Sequence, residues 1–144
     1  MAQEEIQLLL KDLSARLMYG VMCQVDDGAA GLNDGKLIEI DISRELIRFD
    51  DDGYWDAYID DVKPYLRPMS SMTEEECDIV EEILGDKCIF DFMSNGDIVL
   101  KQGQFSQNKL AKLYDYYTSI HVDYRGLIPM GLALEAPEGM YKIN

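Results

Sequence analysis

The chain has 144 residues, 28 acidic against 13 basic side chains, a net charge of −15 and a pI near 4.2. So dense a polyanion repels phosphate backbones and anionic lipid at neutral pH, which argues against direct nucleic-acid binding and attachment to a charged membrane surface. Hydrophobic content of 47 % with 10 % aromatic residues excludes global disorder, and the length fits one domain over 1–144.

Ile6, Leu9, Leu10, Leu13 and Leu17 recur at steps of three and four, predicting an amphipathic helix over 4–18. Gln7, Lys11, Asp12 and Arg16 fall away from its apolar face, and Gly20 is its stop. The acidic start at Glu4 and Glu5 does not match a signal peptide, and no apolar run approaches the ~20 residues of a membrane span; a cytoplasmic location is expected. Alternation then predicts a strand over 21–25, with Val21, Cys23 and Val25 on one side. DDGAAGLNDG, residues 26–35, reads as a loop. Strands follow over 36–42, with Ile38, Ile40 and Ile42 opposite Glu39 and Asp41, and over 45–49. Three strands on short links predict an antiparallel meander. Asp50-Asp51-Asp52-Gly53 does not fit a calcium loop, because the register puts Arg48 and Ile59 where acids are needed. Tyr54, Trp55, Tyr58 and Ile59 make a dense aromatic patch, read either as core or as a binding surface.

The stretch 62–76, VKPYLRPMSSMTEEE, is the least generic in the chain. Pro64 and Pro68 hold it extended, placing Tyr65 and Arg67 on one side and Leu66 on the other. Ser71 to Glu74 and Thr73 to Glu76 both fit a capping box for a helix over 73–84. Cys77, Val80 and Leu84 form its buried side, flanked by Ile79 and Ile83, and Gly85 ends it. Glu74, Glu75 and Glu76 read as solvated acids that complement the helix N-terminus. CIFDFMSNGDIVLK, 88–101, predicts a hairpin with a two-residue turn at Asn95-Gly96, pairing Ser94 with Asp97, Met93 with Ile98, Phe92 with Val99 and Asp91 with Leu100. Gly103 and Ser106 lead into a third helix over 107–120, with Leu110, Leu113, Tyr114 and Tyr117 as its apolar face and Tyr116 off it. The remainder, 122–144, holds Gly126, Pro129, Gly131, Pro137 and Gly139. It is expected as an extended tail packed over the body, with a short strand near 132–135, covering Tyr65, Leu66 and the Trp55 patch. Arg125, beside Tyr124, is either stacked on tyrosine and bonded to backbone or Asp123, or a ligand-binding arginine.

KPYLRPMSSMTEEE at 63–76, DYRGLI at 123–128 and GLALEAPEGMY at 131–141 resemble a family of short acidic proteins of gut bacteria, often among prophage and other mobile-element genes. The family has no assigned activity, so the resemblance implies a bacterial cytosol and mobile-element biology and carries over no site residue.

The residues that bear chemistry are sparse. Cys23, Cys77 and Cys88 show no close pairing, and His121 is the only histidine, so neither a disulfide framework nor a zinc site is expected. His121, at a helix end, reads as structural rather than as a general base. No catalytic residue, cofactor or metal is expected. The fold class is α+β: a mainly antiparallel sheet, built from the meander and the Asn95-Gly96 hairpin, packed with three helices. Three functions remain open. One is a non-enzymatic interaction or accessory protein of phage or mobile-element origin, with a protein as its partner. The second is an acidic mimic of nucleic acid that occupies a DNA-binding protein, and the third an enzyme with an unrecognised carboxylate site. Tyr54, Trp55, Tyr58, Tyr65, Arg67, Tyr124 and Arg125 are the candidate interaction residues; the oligomeric state is left open.

Overall fold

The N-terminal periodicity folds as helix α1, Gln3–Arg16, followed by one 3-10 turn, Leu17–Tyr19. Gly20 closes it in the left-handed conformation at φ 69°, where a side chain would be strained. The computed structural model describes residues 1–50, 53–85, 88–91, 97–100 and 107–141, with 88–91 and 97–100 described by their backbone. Among these, three helices and a six-stranded, mostly antiparallel sheet make an α+β architecture. The chain divides into two compact units, Met1–Leu66 with Arg125–Met140, and Arg67–Tyr124 with Tyr141–Asn144.

The first unit holds α1 and the sheet. Its strands are β1 (Met22–Asp26), β2 (Leu32–Asp41), β3 (Leu46–Asp50), β4 (Tyr54–Tyr58), β5 (Val62–Leu66) and β8 (Leu134–Glu135), ordered β4-β3-β2-β1-β5-β8. The expected meander is present and extends to a fourth strand. The expected loop over 26–35 is shorter than its composition suggests. Only a 3-10 turn, Gly28–Ala30, separates β1 from β2, and Leu32 to Gly35 pair with β1 despite their turn-like residues. Gly35 has a packing reason to be glycine, since a Cβ there would lie 3.0 Å from Phe49 Cβ. The register of β2 on β3 shifts between Leu37 and Glu39, so Ile38 is an extra, bulged residue. Beyond the bulge the alternation inverts. Leu37 is buried opposite Phe49, Ile40 lies opposite buried Ile47, and Ile42 is exposed. The expectation that Ile38, Ile40 and Ile42 share one face fails for this reason.

Leu9, Leu10 and Leu13 of α1, with Cys23, Val25, Leu37, Ile47, Phe49, Ile59, Val62 and Leu66, form the core of this unit. Two residues expected on the wet side of α1 are wholly buried. Asp12 accepts two hydrogen bonds from Arg16, at 2.8 and 3.2 Å, and lies 3.3 Å from Arg125 Nε. Opposite charges four residues apart on a helix reach each other, so the pair enters the interior together. Burial, reinforced by the negative charge of Asp12, pushes the Cys23 thiol far above its ordinary pKa. The tail packs as expected on the stretch that holds Pro64. Leu134 and Glu135 pair in parallel with Tyr65 and Leu66, the Ala136 N–H donates to Leu66 O at 2.7 Å, and Leu127, Leu132 and Ala133 are buried. Pro64 lies beyond that short pairing, where β5 needs no donor on that side.

The second unit contains α2 (Glu74–Leu84), the two-stranded sheet of β6 (Cys88–Asp91) and β7 (Asp97–Leu100), and α3 (Gln107–Ser119). The hairpin is therefore a separate sheet and does not extend the meander. Its register is Asp91 to Asp97, Phe90 to Ile98, Ile89 to Val99 and Cys88 to Leu100. That is three residues short of the expected pairing, and it places β-branched Ile89 opposite Val99. The Asn95-Gly96 turn lies outside the described residues, as do Gly103 and Ser106.

Of the two expected capping boxes, Thr73 to Glu76 forms. The Glu76 N–H donates to Thr73 Oγ1 at 3.2 Å and the Thr73 N–H to Glu76 Oε1 at 2.9 Å. Ser71 instead bonds Pro68 O and belongs to a 3-10 turn, Met69–Ser71. Met72, Val80, Leu84, Leu113, Tyr117, Ile120 and Val122 make the core, with Cys77, Ile83, Tyr116 and Tyr124 packed against it. Ile79 and Tyr114 are partly exposed, and Tyr116, off the expected face, contributes to packing. Helix α3 ends in a Schellman pattern, in which the Val122 N–H donates to Tyr117 O and the His121 N–H to Thr118 O. His121 occupies the left-handed position at φ 63°, usually given to glycine, and its ring stacks on Tyr141 at 3.9 Å.

Candidate interaction surface

Strand pairing in the first unit assembles the outer face of β2, β3 and β4 in three rows. Lys36, Asp50 and Tyr54 lie abreast, then Glu39, Arg48 and Asp56, then Asp41, Leu46 and Tyr58. The middle row is bonded across all three strands, with Arg48 Nε donating to Asp56 at 3.0 Å and Nη1 to Glu39 at 3.0 Å. The hydrogen bond and charge of Asp56, followed by the charge of Glu39, push the Arg48 guanidinium further toward its charged form. At the third row, Asp41 accepts from the Ser43 hydroxyl at 2.8 Å and from the Arg44 N–H, and the Ser43 bond leads in holding its carboxyl below the usual range. Tyr54 is 76 % exposed and Tyr58 62 % exposed.

Strand β4 ends the sheet, pairing among the described residues with β3 alone. The Ile59 N–H donates to Glu45 O at 3.0 Å, one step past the pair Leu46–Tyr58. In an antiparallel ladder, bonded and non-bonded pairs alternate. Trp55 and Ala57 therefore turn their backbone groups toward β3, and Tyr54, Asp56 and Tyr58 turn theirs to the open edge. The residues that display the aromatic and acidic side chains also hold the outward N–H and C=O groups.

The seven candidate residues do not make one surface. Tyr54 and Tyr58 share the outer face, but Trp55 points the other way and packs on Phe49, ring centroids 5.2 Å apart. It sits at the opposite end of the strand order from β8, so the tail's strand does not reach it. Tyr65 is buried. Its hydroxyl donates to Asp34 at 2.8 Å and accepts from Gln24, and burial, followed by the Asp34 hydrogen bond, raises its pKa. Arg125 Nε lies 3.3 Å from the buried Asp12 carboxylate.

The other two belong to the second unit. Arg67 donates to both Glu76 oxygens, at 2.8 and 2.7 Å, and to the carbonyls of Ser71 and Ile120. Tyr124 stacks on Tyr117 and packs at a tilt against Tyr114, the three rings forming a triangle, and its hydroxyl accepts from Thr118. Glu76, expected as a solvated acid, is buried. Burial is the largest influence and opposes its ionisation, but the Arg67 and Thr73 bonds and the Arg67 charge together outweigh it and hold the carboxyl below the ordinary range. Tyr116 has its hydroxyl pKa raised, first by burial and then by the negative charge of Glu76.

The outer face carries charged and aromatic side chains in alternate rows. A concavity lined by Glu39, Asp41, Arg44, Leu46, Ile47, Arg48 and Asp56 has a volume of about 90 Å³. Sites for small molecules run to roughly 300–1,000 Å³. Among the described residues no group of three or more His, Cys, Asp or Glu side chains could hold a metal ion, and no helix is long and apolar enough to cross a membrane. Sequence reasoning set Glu39 and Asp41 on the solvent side but missed the row through Arg48 and Asp56, which only the cross-strand register reveals. No protein-family model, curated protein or solved structure matches the chain.

Proposed function

We propose that this chain is a non-enzymatic protein-interaction module whose binding surface is the outer face and free edge of β4. The observation that carries the reading is the pair Tyr54 and Tyr58, large aromatic residues exposed on an edge strand. Tyrosine contributes contact area at low entropic cost and is enriched where proteins bind one another. The two alternatives draw less support. A mimic of nucleic acid needs an unbroken acidic line, and here Arg44 and Arg48 interrupt the carboxylates. A carboxylate enzyme needs an acid with raised pKa, and among the described residues the two acids with a clear shift, Glu76 and Asp41, move downward. The wording of 63–76, 123–128 and 131–141 is in keeping with an origin among mobile-element genes.

A photo-crosslinking residue at position 58, compared with one at exposed Ile79 of α2, tests the surface in cells that carry the native gene. A discrete adduct from position 58 and none from 79 is expected; equal adducts from both, or none from 58, would refute it. Pooled Glu→Gln changes at Glu74, Glu75, Glu81 and Glu82 should leave binding and its salt slope nearly intact, whereas a nucleic-acid mimic would lose both.

A further inference from the structure

We infer that the partner is an extended basic segment that adds to the sheet as a seventh strand along β4, a proposal that rests on the interaction reading above. The ladder parity leaves Tyr54, Asp56 and Tyr58 with outward N–H and C=O groups, the template that strand addition uses. Charge selects the occupant. Asp56 stands exposed at the middle of the edge, Asp50 is exposed beside Tyr54, and Asp60 and Asp61 are exposed just past Tyr58. A strand carrying Lys or Arg at alternate positions would set its cations over Asp56 and against the faces of the two tyrosines, where ring and cation attract.

The same residues argue against a second copy of this chain. The antiparallel self-pairing that uses all three outward residues is centred on Asp56 and sets it directly against its counterpart, a destabilising like-charge pair. Two molecules of net charge −15 also repel before they meet. Asp56 thus guards the edge against self-association and selects for a basic partner.

The test titrates the full chain with a fluorescent nine-residue peptide of alternating Lys and Val, and with its Glu-Val counterpart. Tyr58→Ala and Tyr58→Pro are compared on the protein side. Both remove the ring, and Tyr58→Pro also removes one outward N–H at a residue whose φ of −77° suits proline. The Lys-Val peptide should bind more weakly as salt rises and the Glu-Val peptide should not bind. Tyr58→Pro should bind at least tenfold more weakly than Tyr58→Ala, both melting as the parent does. Should Tyr58→Pro fail to fold, Asp56→Lys is the second variant, and it should prefer the Glu-Val peptide. Equal affinity of the two Tyr58 variants, no binding of the Lys-Val peptide, or an unchanged preference in Asp56→Lys would overturn strand addition. If the crosslink from position 58 persists in any of those cases, the interaction surface stands and only the strand mode fails; if it too is absent, both readings fall.

Discussion

Replacing Glu76 with alanine should destabilise the protein by about 3 kcal/mol. The carboxylate accepts two hydrogen bonds from Arg67 and one from the Thr73 N–H, and the two side chains are 8 % and 15 % exposed. Removing one partner of a buried ion pair costs roughly 3–5 kcal/mol because the other charge stays behind. The lower end applies here, since Arg67 keeps the Ser71 and Ile120 carbonyls. With a urea m value of about 2 kcal/mol per M, the unfolding midpoint should fall by about 1.5 M. Glu76→Gln, which can still accept from Thr73, should lose less. Arg67→Met should then cost less in the Glu76→Gln background than alone, giving a coupling of at least ~0.5 kcal/mol. The acid limb supplies a second readout. The folded-state pKa of Glu76 lies below the unfolded one, so its contribution is complete above the ordinary value of 4.5 and is lost as pH falls through the folded value. The stability gap between the parent and Glu76→Gln should therefore narrow below about pH 4.5. A Glu76→Ala midpoint that moves by less than ~0.5 kcal/mol equivalent would refute the buried-pair reading and rank the contact with exposed ion pairs.

Four further outcomes follow from the same geometry. Asp12→Ala leaves Arg16 and Arg125 without their shared carboxylate and should lower the melting temperature by about 10 °C, with Asp12→Leu combined with Arg16→Met recovering part of the loss. Gly35→Ala drives a Cβ to 3.0 Å from Phe49 and 3.5 Å from Trp55, so it should cost about 1–3 kcal/mol and alter the emission of the chain's one tryptophan. Leu127→Ala, in the tail, should cost about 2–5 kcal/mol yet leave folded-state Trp55 emission unchanged, because β4 and β8 stand five strand spacings apart, roughly 24 Å. The Cys23 thiol should resist a disulfide reagent at pH 8 until urea unfolds the chain; labelling of native protein at the rate of the unfolded one would contradict its burial.

Local signals served best where one period or one cap decides the structure. Leucine spacing gave α1, Thr73 and Glu76 gave the start of α2, and Gly20 and Gly85 gave two helix ends. What failed depended on partners distant in sequence. Asp12 looks solvated until Arg16 and Arg125 close on it, and Glu76 until Arg67 does. The Ile38 bulge is a property of two strands rather than one, so alternation along β2 alone misassigned its isoleucines. The aromatic cluster at 54–58 was visible as composition, but strand pleating divides it, sending Trp55 to the core side and the tyrosines to solvent. The open edge of β4 had no sequence signature, because a strand's place in a sheet is set by the strands that fail to reach it.

The bonds of Arg67 also imply an order of assembly. Its guanidinium meets Glu76 across 9 residues of chain and Ile120 O across 53, while its backbone N–H and C=O pair with His121 and Asp123. Loop-closure entropy grows with the logarithm of length, so the longer closure costs about 1.5 kcal/mol more than the shorter one. The contact with Glu76 is therefore favoured first, fixing the turn before α2 and pointing the remaining donors and acceptors outward. The C-terminal end of α3 carries the larger closure cost, and a single arginine joins a local contact to a long-range one.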